Sequence, residues 1–242
     1  MLYIIMADGQ GKRWDNYLNI PKHLIRIEEE TLLARTTRLL HEHDVDCKVL
    51  ITSHNPEYET AGAELYEPLN NHLEIDRFTE ELIDDNVCFL YGDTYYSSDA
   101  IRKITQEPVQ DLLFFGTHHS IIAVKIKDGE LFKKHKCRVR NLYLQGEIEK
   151  CIGWQVYQSF QDLPFDKKQV AEKFFLIEDW TKNINSPEDF EKSIRKENND
   201  NKVMEDKKYD RHNKICAEDD QASGVEYHCL WPGCEGIYGS GS

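Results

Sequence analysis

Nowhere in the 242 residues does an apolar run approach the roughly 20 residues that a membrane-spanning helix needs. An excess of positive charge is missing too: 30 Lys and Arg against 44 Asp and Glu leave a formal net charge of −14. That balance speaks against nucleic acid or an anionic membrane surface as the main partner, because both reward clustered Lys and Arg. The opening MLYIIMADG has no basic leader, and its apolar stretch is too short for a signal peptide. A cytoplasmic protein without membrane insertion is therefore expected. The seven cysteines form no disulfide framework and read as thiols in such a compartment, with Cys47 and Cys88 buried and inert inside apolar runs. No internal repeat is visible.

What is present suits a soluble globular chain: 40% hydrophobic and 31% charged residues, enough for one generous domain or one domain and a fragment. Short apolar runs read as strands at 2–6, 47–52, 87–91, 111–115, 121–127 and 174–177. Between them, TLLARTTRLLHEH puts Leu32, Leu33, Thr36, Leu39 and Leu40 on one helical face, and SSDAIRKI signals a helix starting at Ser97 or Ser98. A further helix is expected over 153–160, and Ser186-Pro187-Glu188-Asp189 opens a last one with an N-cap serine, an N1 proline and first-turn acids. Alternating strands and helices, with strands apolar throughout, imply a mostly parallel sheet covered on both faces. From about residue 196 the chain turns polar and densely charged. We read 1–196 as the domain and 197–242 as a charged linker and tail, the start of a further domain, or an artificial end in which GSGS is a flexible linker. In that tail His212, Cys216, His228, Cys229 and Cys234 suggest zinc, but Cys229 and Cys234 find no second tight pair.

The stretch ADGQGKRW follows the first strand directly. Gly9 and Gly11 let backbone N–H groups approach phosphate oxygens, while Lys12 and Arg13 can neutralise charge, arginine with a bidentate fork. The spacing is neither the dinucleotide nor the P-loop pattern. On its own such a stretch is more often a plain turn than a phosphate cradle.

Its continuation, IIMADGQGKRW…PKHLIRIEEETLLARTTRLL, resembles the nucleotidyltransferase family of sugar-phosphate pyrophosphorylase type, whose members open with a strand, L-A-A-G-x-G-x-R, Pro-Lys and a helix. Ala7, Gly9, Gly11, Arg13, Pro21 and Lys22 match, whereas Asp8 stands where a small residue is usual. CFLYGDTYYSSDAI resembles the family's strand ending in Gly-Asp, and NINSPEDFEKSI its late motif, best known from molybdenum-cofactor guanylyltransferase. The resemblance covers about residues 1–196 and implies a Rossmann-like (GT-A-type) three-layer αβα sandwich with a mostly parallel mixed sheet. It implies an Mg²⁺-dependent enzyme that transfers NMP from a nucleoside triphosphate to a phosphorylated sugar or similar small acceptor, releasing pyrophosphate, for surface polysaccharide or glycoconjugate synthesis. A homo-oligomer is compatible with it.

The implied nucleotide site comprises Ala7, Asp8, Gly9, Gln10, Gly11, Lys12, Arg13 and Lys22. The catalytic set is Arg13 on the β- and γ-phosphates, Lys22 on the α-phosphate and Asp93 on Mg²⁺, with Asn185 or Asn183 as the second metal ligand. Bland readings stand beside these: Asp93 as a strand-end turn, Lys22 as a surface lysine, His118 and His119 as solvated loop residues, Trp154 as core rather than acceptor pocket, and Tyr95 and Tyr96 on substrate or covering the sheet edge. Two rivals remain. A GT-A-type glycosyltransferase would use a nucleotide sugar, but Gly-Asp-Thr-Tyr replaces the Asp-x-Asp it expects. A catalytically inactive nucleotide-binding module is kept open by Asp8 and the two asparagines.

Overall fold

The computed structural model describes residues 1–193 apart from Gln10, Lys12 and Asn16. Met1–Glu191 form one compact unit, and Lys192–Ser242 are grouped as a second; the tail readings, including the zinc candidates, lie outside the described residues. In chain order the elements are β1 (Leu2–Met6), β2 (Arg26–Ile27), β3 (Glu30–Thr31), α1 (Leu32–His43), β4 (Lys48–Thr52), β5 (Glu64–Tyr66), β6 (Val87–Tyr91), β7 (Thr94–Tyr95), α2 (Ser98–Gln106), β8 (Leu112–Gly116), β9 (Ile121–Ile126), α3 (Gly129–Leu144), α4 (Gly153–Phe160), β10 (Phe174–Leu176) and β11 (Lys182–Asn183). Among the described residues no helix is long and apolar enough to cross a membrane.

Seven strands form the main sheet in the order β10-β8-β9-β6-β1-β4-β5. All run parallel except β9, which pairs antiparallel with both β6 and β8. The result is the α/β sandwich with a mostly parallel mixed sheet. β1 lies between β4 and β6, and both its faces are buried: Tyr3 and Ile5 join one core cluster, Ile4 and Met6 the other. Burial of each such aliphatic side chain stabilises the fold by about 1.5–3 kcal/mol.

The helices begin where their capping residues predict. Thr31 accepts from the backbone of Ala34 at 3.1 Å, and Leu32, Leu33, Thr36, Leu39 and Leu40 of α1 are buried as their spacing requires. Ser97 caps α2 by accepting from the Ala100 N–H at 2.8 Å. The 16-residue α3, capped by Asp128, was not legible in the sequence. Its buried face mixes Phe132 and Val139 with Lys136, which donates to Glu80 at 2.6 Å, while Arg140 pairs with Asp76. Charges placed on the inward face and satisfied there erase the apolar period that would have revealed it.

Candidate active site

β1 and β6 end side by side, and Gly92 is what lets them. A Cβ on Gly92 would stand 2.8 Å from the Met6 carbonyl, which instead accepts the Gly92 N–H at 3.0 Å. The next residue, Asp93, is thereby set beside the glycine loop that leaves β1. In that loop Gly11 adopts φ +58°, a conformation glycine takes without strain, and the Trp14 N–H closes a turn onto the Gly11 carbonyl at 2.8 Å. Trp14 is buried against Tyr17 and Phe190, anchoring the loop to the helix that begins at residue 187.

Lys22 sits in the tight turn Lys22–Leu24 that follows Pro21. It donates to Asp93 Oδ2 at 2.6 Å, and both residues are buried. The other oxygen, Oδ1, is buried with no hydrogen-bond partner among the described residues. Burial pushes the Asp93 carboxyl up, but the charge and hydrogen bond of Lys22, with the charge of Arg77, outweigh it and hold it below the usual carboxylate range. His23, next to Lys22, is fully buried and pushed down to about 4, chiefly by desolvation, so it is neutral; its Nδ1 lies 3.1 Å from the Tyr58 hydroxyl.

The late motif arrives by strand pairing. β11 pairs antiparallel with β7, Asn183 opposite Thr94, and the Ile184 N–H donates to the Asp93 carbonyl at 2.7 Å. The Asn183 amide oxygen accepts from Thr94 Oγ1 at 3.1 Å, and that of Asn185 from Arg13 Nη2 at 2.9 Å. Asp189 accepts the backbone N–H groups of Asn185 and Ser186, and Ser186 Oγ accepts the Asp189 N–H, a reciprocal cap that fixes Asn185 at the helix start.

Three separated stretches thus line one cavity of about 650 Å³, with Gly11, Arg13, Lys22, Asp93, Asn183 and Asn185 among its walls. Asp8 borders this cavity and a second one of about 400 Å³, which Ala7 and Gly9 also line. Its carboxylate is turned onto protein donors: Oδ1 accepts the His54 N–H at 3.0 Å, and Oδ2 meets His54 Nδ1 and the Asn71 amide, each at 2.7 Å. The departure from a small residue at this position is therefore absorbed by two partners rather than left facing phosphates. Gln10 and Lys12 lie outside the described residues.

Several cavity residues escaped the sequence reading. Asn71 and Arg77 come from the segment before β6, whose polar sequence gives no periodic signal. Trp154 and His119 line the cavity, while His118 is exposed and is not part of its wall. Lys168 Nζ stands 5.0 Å from the centre of the Trp154 ring and donates to the His119 carbonyl at 2.6 Å. Tyr95 and Tyr96 resolve to the structural alternative. Both are buried; the Tyr96 hydroxyl donates to the Ile122 carbonyl at 2.6 Å, and the Tyr95 ring lies 4.9 Å from Trp180.

Solved structures match this architecture at low sequence identity. The CTP:phosphocholine cytidylyltransferase LicC of Streptococcus pneumoniae superposes with a TM-score of 0.50 at 15% identity, over 80% of this chain and 97% of that one. The inositol-1-phosphate CTP transferase of T. maritima gives 0.51 at 14% identity, over 78% and 90%. The nucleoside-diphosphate-sugar pyrophosphorylase of Vibrio cholerae RC9 gives 0.52 at 10%, over 81% and 100%. No protein-family model and no curated protein sequence matches the chain. The chain has the fold that these nucleotidyltransferases share.

Proposed function

We propose that the protein is a nucleotidyltransferase, joining the NMP of a nucleoside triphosphate to a small phosphorylated acceptor and releasing pyrophosphate. The observation that carries this reading is the buried Lys22–Asp93 pair, with one carboxylate oxygen left unpartnered where the glycine loop and the late motif meet. Plain turns and surface lysines do not bury such a pair, because desolvating two charges costs several kcal/mol each.

The reaction is a displacement at the α-phosphorus. An oxygen of the acceptor phosphate forms a bond to that phosphorus. The bond from phosphorus to the bridging oxygen breaks, and its electron pair leaves with pyrophosphate. A dianionic acceptor needs no base, so the task is to hold two anions together. Lys22 has three donors and gives one to Asp93; among the described residues the others meet no acceptor, and they can neutralise the α-phosphate. Arg13 and the loop amides address the β- and γ-phosphates. Asp93 fits Mg²⁺, an oxygen-seeking ion that keeps several waters, through its unpartnered oxygen, with the amide oxygen of Asn185 or Asn183 beside it. When bound, that ion supplies charge neutralisation on the phosphates. Each amide oxygen accepts one hydrogen bond here and retains a second lone pair. A cytoplasmic role in polysaccharide or glycoconjugate synthesis accords with such a product.

The test is pyrophosphate release from CTP, GTP, UTP, ATP and dTTP, each with Mg²⁺ and a panel of phosphorylated sugars and polyols. Release with one nucleotide, dependent on acceptor and metal, is expected. Liberation of a nucleoside diphosphate from a nucleotide sugar would instead indicate a glycosyltransferase. Nucleotide binding without any release would leave a binding module.

A further inference from the structure

Two cations that line the cavity, Arg77 and Lys168, have no part in the reading above; Lys168 already donates to the His119 carbonyl, and Arg77 is the more loosely held. Arg77 lies in the tight turn Glu74–Arg77 and lines the main cavity. Its guanidinium carbon stands 3.0 Å from where a Cβ on Gly9 would be, so the fork rests against the phosphate loop where it leaves β1. Among the described residues that guanidinium makes no hydrogen bond, and its ion pair is long, 3.8 Å to the half-exposed Glu74. Its charge nevertheless reaches Asp93, helping to hold that carboxyl down.

The turn is built to hold this arginine still. The buried Asp76 accepts the N–H groups of Leu73, at 2.8 Å, and His72, and is paired with Arg140 of α3. Phe78, the next residue, packs on Phe89 and Tyr91 at the end of β6. A loosely paired guanidinium on a turn tied down from three sides is preorganised for an anion rather than serving the fold.

We propose that Arg77 binds the phosphate of a phosphomonoester, the acceptor in the nucleotidyl-transfer reading on which this inference rests. The nucleotide's own phosphates have Arg13, Lys22 and the loop amides. In-line attack brings a second, dianionic phosphate onto the α-phosphorus, and this second anion needs its own cation. A guanidinium fork matches two phosphate oxygens at once. The same cavity is lined by Tyr91, Ile152 and Trp154, an apolar and aromatic set suited to the body of the acceptor, and the Arg77 charge acts on the Tyr91 hydroxyl.

Inorganic orthophosphate and tripolyphosphate serve as probes, titrated against the full chain and read by tryptophan fluorescence. Arg77→Gln is expected to weaken orthophosphate at least about tenfold, the loss typical of a charged hydrogen bond, with Arg77→Lys less affected. Arg13→Gln is expected to weaken tripolyphosphate instead. Orthophosphate affinity unchanged in Arg77→Gln, or dependent on Arg13 alone, would overturn the assignment. With a productive acceptor in hand, Arg77→Gln should raise the acceptor KM while the nucleotide KM stays within about twofold, and added guanidinium should restore part of the loss. The reverse split would also overturn it. A wild type that binds orthophosphate through Arg77 yet releases no pyrophosphate supports this site and defeats nucleotidyl transfer alone. Active enzyme indifferent to Arg77 does the opposite.

Discussion

Asp93 shows how one side chain can serve the fold and leave something over for chemistry. One oxygen accepts from Lys22 at 2.6 Å and the other is buried without a partner among the described residues. Asp93→Asn keeps the shape but removes the charge, leaving Lys22 buried beside an amide. Activity is expected to fall by roughly a hundred- to a thousandfold, as when one preorganised electrostatic group is removed from a reacting centre. Stability should fall as well, since breaking a buried pair from one side costs about 3–5 kcal/mol in a dry interior and less beside a cavity. The double variant Lys22→Met, Asp93→Asn should recover thermal stability without recovering pyrophosphate release. A single variant that keeps a large share of its activity would remove Asp93 from the mechanism. Lys22 and Asp93 could be found in the sequence because each sits in a motif with fixed neighbours. Arg77 could not, since a lone arginine in a polar connection has no period, cap or spacing to mark it.

At the scale of elements, six of the seven strands of the main sheet and the helices α1, α2 and α4 were legible, while the edge strand β5, the two-residue strands and α3 were not. β1 and β6 announce themselves by apolar runs and α1 by the face of Leu32, Leu33, Thr36, Leu39 and Leu40, whereas α3 hides because Lys136 and Arg140 lie on its inward side. The reversed direction of β9 was equally hidden, because a strand buried on both faces reads alike in either sense. The α3–α4 contact offers a pH test. His135 places Nδ1 3.0 Å from Ser159 Oγ, and desolvation, with Lys134 and Arg138 adding to it, holds the imidazole below its ordinary 6.5. As pH falls below 6.5 the unfolded chain takes up the proton first, so stability is complete above that value and is lost down to the folded pKa. His135→Gln should flatten this part of the profile. Urea midpoints at about pH 5 and pH 7.5 for both proteins measure it, and equal slopes would refute the assignment.

For the molecule as a whole, the topology converts sequence distance into proximity: β1 and β6 are adjacent and parallel, so the loops after Met6 and Tyr91 open at the same edge of the sheet. That convergence could be inferred from alternating strands and helices. The field in which it sits is less obvious. The chain carries −14 overall, yet Arg13, Lys22, Arg77 and Lys168 all line one cavity. Under the proposed function a nucleotide would approach against the long-range charge and be held by short-range contacts. Salt separates the two, because screening acts beyond a Debye length of about 8–10 Å near physiological ionic strength and weakly on partly buried contacts. Raising NaCl from low concentration should then increase the association rate constant of Mg²⁺–nucleotide while leaving dissociation little changed, opposite to the behaviour of electrostatically steered pairs. Stopped-flow fluorescence across a salt series decides it. An association rate that falls with salt would mean that the cavity's cations, and not the net charge, govern the approach.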